Sequence, residues 1–336
     1  MTNSPPPPTD PGRAVSAVVA EKAFYTMADS RFFLGVVALL NSLRLVGHDE
    51  PLFLLDCGLE PDQRSLLEPH ARVVSSDSSL SPILQTGAMV LSHPASVMVL
   101  LDADLIVTRS LSPLLDGAAA GKIVAVADGV PNRFHPEWGE LLGLGPLRRQ
   151  TYVNNGLVAL PYGLGSAIVE RSTALQADMK MEDSIFACGN AQGPFYYPDQ
   201  DILNALLATD ARQDQVEILE HRLAPFPPFD DLRLLDPHTL ACRYPDGVQP
   251  FVLHHVARKP WLSPCRVTIY SRLLPRLWFG PDVPVRLNEQ QVPLRFRTGG
   301  PARAALLAAD LRALLRAQRG RLGIRRRLSG GSRPRS

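Results

Sequence analysis

Several features that mark common protein classes are absent from this sequence or scarce in it. The 336 residues include four cysteines, and no two of them have the C-x-x-C spacing of zinc or redox sites. No apolar run approaches the roughly 20 residues that cross a bilayer. The opening residues, MTNSPPPPTDPG, have no basic start followed by an apolar segment, so we expect no secretory signal. Together these absences predict a cytoplasmic protein whose thiols are free.

A strong charge of one sign and a glycine-rich phosphate loop are also missing. The formal net charge is +2, and the basic residues concentrate in the C-terminal segment RAQRGRLGIRRRL. The body of the chain therefore lacks the basic surface that nucleic-acid binding requires. Neither G-x-G-x-x-G nor G-x-x-x-x-G-K-[ST] follows the first predicted strand, which excludes the usual dinucleotide and P-loop sites.

Apolar, β-prone segments alternate with helical patterns through the first half of the chain. We predict helices at 30–47 and 60–70, and strands at 23–29, 52–58, 72–76, 96–104, 122–129 and 156–161. Ser30 suits the N-cap of the first helix and Gly47 its C-cap. The alternation predicts an α/β domain with a mostly parallel central sheet, in which ligands bind beyond the carboxyl ends of the strands.

Composition divides the chain into three parts. Residues 1–15 are proline-rich and predicted to be disordered. Residues 16–280 form the predicted α/β domain, and 281–336 a C-terminal extension. From Arg303 onward the extension has the pattern of a basic amphipathic helix. Such a helix either contacts anionic lipid at the inner face of a membrane or is a solvated tail, and the sequence leaves both open.

The predicted strand SVMVLLDAD ends at two carboxylates, Asp102 and Asp104, with Ala103 between them. Two like charges repel each other there unless a divalent cation binds between them. Hard oxygen ligands suit Mg²⁺ or Mn²⁺, with phosphate oxygens completing the coordination. The alternative is that one of the two carboxylates caps the following turn.

Three more polar segments stand near predicted strand or helix ends. The N-N-G at 154–156 either binds sugar hydroxyls or forms an ordinary turn. The D-Q-D at 199–201 opens a helix, where acids also simply favour the helix dipole. The segment HHVARKPW offers a histidine as a metal ligand and Lys259 as a phosphate partner, or else a surface histidine pair before a turn.

In chain order the motifs are T-M-A-D after the first strand, D-A-D, N-N-G, D-Q-D-I-L-N and H-H-V-A-R-K-P-W. This order resembles glycosyltransferase family 8, the retaining, metal-dependent transferases that include glycogenin and bacterial lipooligosaccharide galactosyltransferases. The resemblance runs from about residue 22 to 262. It implies the GT-A fold, a three-layer α/β/α domain, and transfer of a hexose from a UDP-sugar to an acceptor hydroxyl. The acceptor, whether a glycan, a lipid-linked molecule or a small molecule, stays open.

The resemblance also implies a role for particular residues. The implied donor-binding residues are Thr26, Ala28, Asp29, Phe32, Asp102, Ala103, Asn154, Asn155, Gly156 and Lys259. The first four match positions at the nucleobase and ribose, the asparagines lie near the donor sugar, and Lys259 would hold the diphosphate. Asp199 and Gln200 match catalytic positions at the reacting centre. Asp102, Asp104 and His254 would bind Mn²⁺ or Mg²⁺.

Two departures from the family pattern bear on these roles. The family motif is usually H-x-x-G-x-x-K-P-W, whereas here it is one residue shorter and Ala257 replaces the glycine. His255 is therefore an alternative to His254 as the metal ligand. The family also often carries a basic residue about sixteen positions before the D-x-D, and SPILQTG has none.

Two other functions fit the same predicted sheet. A nucleotidyltransferase that makes sugar nucleotides would be expected to have a glycine-rich basic loop after the first strand, which TMADSRFFLG lacks. A non-catalytic protein that binds nucleotide sugars would tolerate the altered lysine motif. Nucleotide binding without release of the sugar would identify that second alternative.

Overall fold

A computed structural model describes residues 17–77, 82–179, 182, 184–187, 189–256, 258–263 and 265–297, together with 304 and 308. The predicted N-terminal tail and all but two residues of the predicted basic helix lie outside the described residues. In the part of the chain that is described, no helix is both long enough and apolar enough to span a membrane.

Eleven strands and eight α-helices make up the described chain. The strands are β1 (Ala20–Ala28), β2 (Leu52–Asp56), β3 (Arg72–Ser75), β4 (Ala95–Leu101), β5 (Leu105–Val107), β6 (Ile123–Ala127), β7 (Val153–Pro161), β8 (Val216–Leu219), β9 (Arg233–Asp236), β10 (Ala241–Arg243) and β11 (Val252–His254). The helices are α1 (Phe33–Leu45), α2 (Pro61–Leu67), α3 (Pro82–Ser92), α4 (Ser112–Ala119), α5 (Trp138–Leu141), α6 (Tyr162–Ala177), α7 (Pro198–Thr209) and α8 (Ile269–Phe279).

The central sheet has seven strands in the order β3-β2-β1-β4-β7-β6-β8. Neighbouring strands from β3 to β4 are parallel, as are β6 and β8, whereas β7 runs antiparallel to both β4 and β6. One face of the sheet packs against α1, α4 and α8, and the other against α3, α6 and α7. These three layers confirm the predicted α/β/α architecture with a mostly parallel sheet.

The first helix begins later than predicted. It starts at Phe33, and Ser30 is not its N-cap, because the Asp29 carboxylate accepts hydrogen bonds from the backbone N–H groups of Arg31 (2.9 Å) and Phe32 (3.1 Å). These bonds hold the preceding residues in a turn. At the other end, Gly47 follows the helix with a φ of +90°, a conformation that glycine adopts without strain.

All six predicted strands are present with bounds that differ by up to three residues, and two of these differences affect the candidate site. The strand predicted at 96–104 ends at Leu101, and Asp102 begins a turn in which its carbonyl accepts a hydrogen bond from Leu105 N–H (3.3 Å). The strand predicted at 156–161 begins at Val153, so the N-N-G segment lies within β7 instead of in a turn before it. The pairing of β6 with β7 shifts register between Ala125 and Val126, which re-aims the side chains at this point.

A small second sheet pairs β5 with β11 in antiparallel orientation, with His254 opposite Leu105. This pairing joins the chain just after the two carboxylates to a segment about 150 residues later.

The start of the predicted C-terminal extension also packs on the domain. The Asn41 side chain donates to the Leu277 (2.6 Å) and Val285 (2.8 Å) carbonyls, and Val285, Leu287, Val292 and Phe296 are buried in the same core.

Candidate active site

Asp102, Asp104 and His254 converge at the carboxyl end of β4. Their ligand atoms all lie within 4.8 Å of one another, and His254 Nε2 is 3.2 Å from both Asp102 Oδ2 and Asp104 Oδ1. Asp104 and His254 are buried, whereas the Asp102 side chain is 48% exposed. The two buried ligands therefore form the floor of the cluster, and Asp102 faces the solvent side.

The chemistry of this cluster fits a divalent cation. The buried Asp104 Oδ1 accepts no well-aligned hydrogen bond, although His254 Nε2 is 3.2 Å away. Beneath the cluster, a Cβ on Gly156 would lie 2.5 Å from His254 Cε1 and 2.6 Å from Asp102 Oδ2, so this position has no room for a side chain. The two carboxylates and the imidazole together form a set of ligands that suits Mn²⁺ or Mg²⁺.

Charges in the cluster shift the pKa values of its members. Burial alone would raise the pKa of the Asp104 carboxyl, but His254 and Lys259 outweigh burial and hold it well below its usual range. Burial alone would lower the pKa of His254, but the Asp104 and Asp102 carboxylates raise it to about 9. Without a metal ion, the imidazole is therefore protonated at neutral pH and itself neutralises the two carboxylates.

His255 lies outside this cluster. Its ring packs against Tyr270, with centroids 4.9 Å apart, and its Nδ1 has no hydrogen-bond partner. Burial, and then the charge of Lys259, lower the pKa of His255 to about 4. The structure thus brings His254 to the two carboxylates and turns His255 into the core.

Lys259 completes the cationic side of the site. Its Nζ contacts the Asp104 carboxylate and donates a hydrogen bond to the His255 carbonyl (2.8 Å). The neighbouring Trp261 donates from its indole to the Arg31 carbonyl (2.8 Å), and its ring lies edge-on to Phe32. The K-P-W segment is therefore anchored on the loop that follows β1.

The predicted nucleobase and ribose residues stand at the carboxyl end of β1 and in the following loop. Thr26 and Ala28 are buried, and Thr26 Oγ1 has no hydrogen-bond partner. Asp29 and Phe32 are half-buried on the same loop, and Lys259 Nζ is 5.6 Å from the Phe32 ring centroid. Ala103 is buried against α1, where a Cβ on Gly35 would lie 2.4 Å from its carbonyl oxygen.

The N-N-G and D-Q-D segments form one hydrogen-bond network beside the carboxylates. Asn155 donates to Asp199 Oδ2 (2.5 Å), while Asn154 donates to Gln200 Oε1 (2.9 Å). The backbone N–H of Asn155 also donates to Gln200 Oε1 (3.2 Å). The pKa of the Asp199 carboxyl is raised, first by burial and then by the negative charge of Asp102. The first turn of α7 is thereby joined to β7 at the edge of the candidate site.

Sequence reasoning did not select Asp128, which the structure adds to this network. It directly follows β6 and is buried, and its Oδ2 accepts hydrogen bonds from Asn154 (3.0 Å) and Gln200 (3.2 Å). Because both polar ends of the Gln200 amide are engaged, its orientation is determined. Its position could have been recognised in the sequence, because Asp128 directly follows an apolar strand, as Asp102 does.

Asp201, the third member of D-Q-D, is structural. Its fully buried carboxylate accepts two hydrogen bonds from the Arg133 guanidinium (2.7 and 2.8 Å) and one from the Tyr152 hydroxyl (2.6 Å).

Comparison with known proteins bears on the fold. No protein-family model and no curated protein sequence matches the chain. Solved structures do match. The galactosyltransferase LgtC, solved in complex with donor and acceptor sugar analogues, is 18% identical, with a TM-score of 0.51 over 77% of this chain and 98% of LgtC.

Two further glycosyltransferases have the same fold. The bifunctional enzyme WbbM is 13% identical, with a TM-score of 0.54 over 80% of this chain and 51% of WbbM. GlyE of Streptococcus pneumoniae is 14% identical, with a TM-score of 0.50 over 77% of this chain and 61% of GlyE. The chain therefore has the GT-A fold of these glycosyltransferases, as the resemblance of its motifs implied.

Proposed function

We propose that this protein is a glycosyltransferase that moves a hexose from a UDP-sugar to an acceptor hydroxyl, with retention of configuration. The observation that carries the proposal is the convergence of Asp102, Asp104 and His254 at the carboxyl end of β4, with Lys259 beside them. The shared fold with three solved glycosyltransferases supports it.

The proposed residues have separate tasks in the reaction. A divalent cation held by the two aspartates and His254 would act as a Lewis acid on the diphosphate. Lys259 neutralises the negative charge that grows on the leaving UDP. Asn154, Asn155 and Asp199 hold the sugar, and Gln200 is held at the reacting carbon. The acceptor oxygen bonds to the anomeric carbon as the bond to the diphosphate oxygen breaks, and the acceptor proton leaves with UDP.

Thermal unfolding with UDP, GDP and CDP, each with and without Mn²⁺, tests this proposal first. A ligand at a hundred times its dissociation constant stabilises by about 2.7 kcal/mol, a shift of at least about 2 °C for a domain of this size. We expect a shift with UDP that requires Mn²⁺ and is lost in Asp104→Asn. Asp116→Asn is the matched control, because that aspartate is 72% exposed and lies beside Lys22 near the start of β1, at the opposite end of the sheet from the cluster.

Turnover then separates the rival functions. We expect release of UDP from a UDP-sugar, and an α-linked donor should give an α-linked product by NMR. Binding of UDP-sugars without release of UDP would identify a non-catalytic binding protein. Formation of a sugar nucleotide from a sugar phosphate and a nucleoside triphosphate would identify a nucleotidyltransferase. Activity that persists in Asp104→Asn would refute the metal assignment.

A further inference from the structure

A cavity of about 160 Å³ extends from the candidate site into the layer between the sheet and helices α3, α6 and α7. Asp102, Asn155 and Asp199 line it at the site. Its other walls come mainly from apolar side chains, among them Leu100 on β4 and Ile168 on α6. The recess is thus continuous with the residues that we propose hold the donor sugar, and it becomes apolar away from them.

The charges around the cavity limit what can occupy it. None of the described residues that line it is a lysine, an arginine or a histidine. Two carboxylates, those of Asp102 and Asp199, stand at the end nearest the site. No positively charged side chain among the described lining residues would attract a negatively charged occupant into the cavity. A neutral occupant with a hydrogen-bond donor near the carboxylates fits these charges.

Apart from Thr26 Oγ1, which has no hydrogen-bond partner, the hydroxyl groups in the walls have partners within the protein. Thr86 donates to Met27 Sδ (2.7 Å), Thr173 donates to the Val169 carbonyl (2.8 Å), and Ser172 Oγ accepts from Gln176 (3.1 Å). These walls consequently require few hydrogen bonds from an occupant, which suits an apolar group. Thr86 stands sixteen residues before Asp102, at about the position where the family pattern often has a basic residue.

The size of the cavity suits a substituent larger than a hydroxyl. At about 10–15 Å³ for each water-sized position, the volume of about 160 Å³ corresponds to roughly 11–16 such positions. An acetamido group fits within this space together with part of a sugar ring. Its N–H would face the carboxylates, and its methyl group would enter the apolar part.

We propose that the cavity binds a neutral acylamino substituent of the transferred sugar, so that the donor is a UDP-N-acetylhexosamine. This inference rests on the proposed function, because the diphosphate must lie at Asp102 and Lys259 for the sugar to stand beside Asn155 and Asp199. The inference goes beyond the proposed function because it names the class of donor sugar and the apolar wall of the cavity that would select it.

The rates of UDP release from matched pairs of donors test the inference. The pairs are UDP-N-acetylglucosamine with UDP-glucose, and UDP-N-acetylgalactosamine with UDP-galactose, with Mn²⁺ present and water as the acceptor. We expect kcat/KM for one N-acetylated donor to exceed that of its unsubstituted partner by at least about tenfold. UDP-glucuronate, which carries a carboxylate, should be the poorest donor.

Filling the cavity supplies the second arm of the test. Ser172→Leu should remove at least about tenfold of the preference for the N-acetylated donor while leaving the dissociation constant of UDP with Mn²⁺ unchanged. Ala174→Leu, an exposed position on the same helix, is the matched control and should change neither quantity. If Ser172→Leu lowers the yield of folded protein, Ser172→Val makes a smaller change of the same kind.

The outcomes separate this inference from the proposed function. Equal use of both members of each pair, with no effect of Ser172→Leu, would overturn the donor assignment and leave the glycosyltransferase in place. A preference for the unsubstituted sugars would overturn it as well. Failure of every UDP-sugar and of UDP itself to bind would refute the proposed function and this inference together.

Discussion

At the scale of single residues, the candidate metal site depends on a side chain that is missing as much as on those that are present. Gly156 lies within β7, directly under the two aspartates and His254. Its backbone carbonyl accepts a hydrogen bond from the Asp102 N–H (2.9 Å), so β7 and the D-x-D turn are in direct contact. A glycine here permits an approach that any other residue would prevent.

Replacing this glycine should weaken metal binding without unfolding the protein. In Gly156→Ala the new methyl group would displace His254 or Asp102, and we expect the dissociation constant for Mn²⁺ to rise by about 10- to 100-fold. Isothermal titration calorimetry measures this constant. Gly163→Ala is the control, because its Cβ would meet no atom within 4 Å. An unchanged Mn²⁺ affinity in Gly156→Ala would mean that the cation binds elsewhere.

At the scale of elements, the first turn of α7 joins the site to the core. Asp199 and Gln200 face β7, while Asp201 turns inward to Arg133. Arg133 also donates to the Gly193 (2.7 Å) and Ala191 (3.2 Å) carbonyls, so the segment before α7 is held by the same guanidinium. One buried ion pair therefore positions the helix that carries two candidate site residues.

Breaking that ion pair should be costly. Arg133→Met leaves the fully buried Asp201 carboxylate without its cation, and we expect a loss of about 3–5 kcal/mol in the free energy of unfolding. Urea denaturation followed by circular dichroism measures the loss. Arg212→Met removes an exposed partner of Asp214 and should change stability little. Equal stability of the two variants would show that the Arg133 pair contributes no more than a surface pair.

At the scale of the whole molecule, a metal ion would connect segments that are far apart in the chain. The D-x-D turn and β11 already pair through β5, and protonated His254 bridges them when no metal is present. His254 has a folded pKa of about 9, above its unfolded value of about 6.5. Its contribution to apo stability is fully present below about pH 6.5 and is lost as the pH rises through 9.

The stabilisation by Mn²⁺ should accordingly depend on pH. The cation must displace the proton on His254, so its affinity should rise by up to about tenfold per pH unit as the pH increases toward 9. We expect the Mn²⁺-induced rise in Tm to be larger at about pH 8 than at about pH 6.5. Calorimetry in buffers of different ionisation enthalpy should detect the released proton. A shift independent of pH would exclude His254 as a ligand.

The local patterns of the sequence were sufficient to predict much of the architecture. The six strands and two helices predicted in the first half are present, because burial on a sheet or a helix face imposes its own spacing on apolar residues. The helices α3 and α4 and the short strand β5 were not predicted. Their order predicted the α/β fold, which the structure confirms. The D-Q-D segment was predicted to open a helix, and α7 begins at Pro198, directly before it. The roles of the candidate site residues stay predictions.

Contacts between distant segments were decided by the tertiary structure. Sequence alone left His254 and His255 as alternatives, because the motif is one residue shorter than the family pattern. Adjacent side chains of an extended chain point in opposite directions, so a single residue of register chooses between them. The pairing of β11 with β5 makes that choice. Asp128 reaches Gln200 across 72 residues, and the cavity forms where three helices meet the sheet. The spacing of residues in the sequence does not predict these long-range contacts, because they depend on how the helices and the sheet pack together.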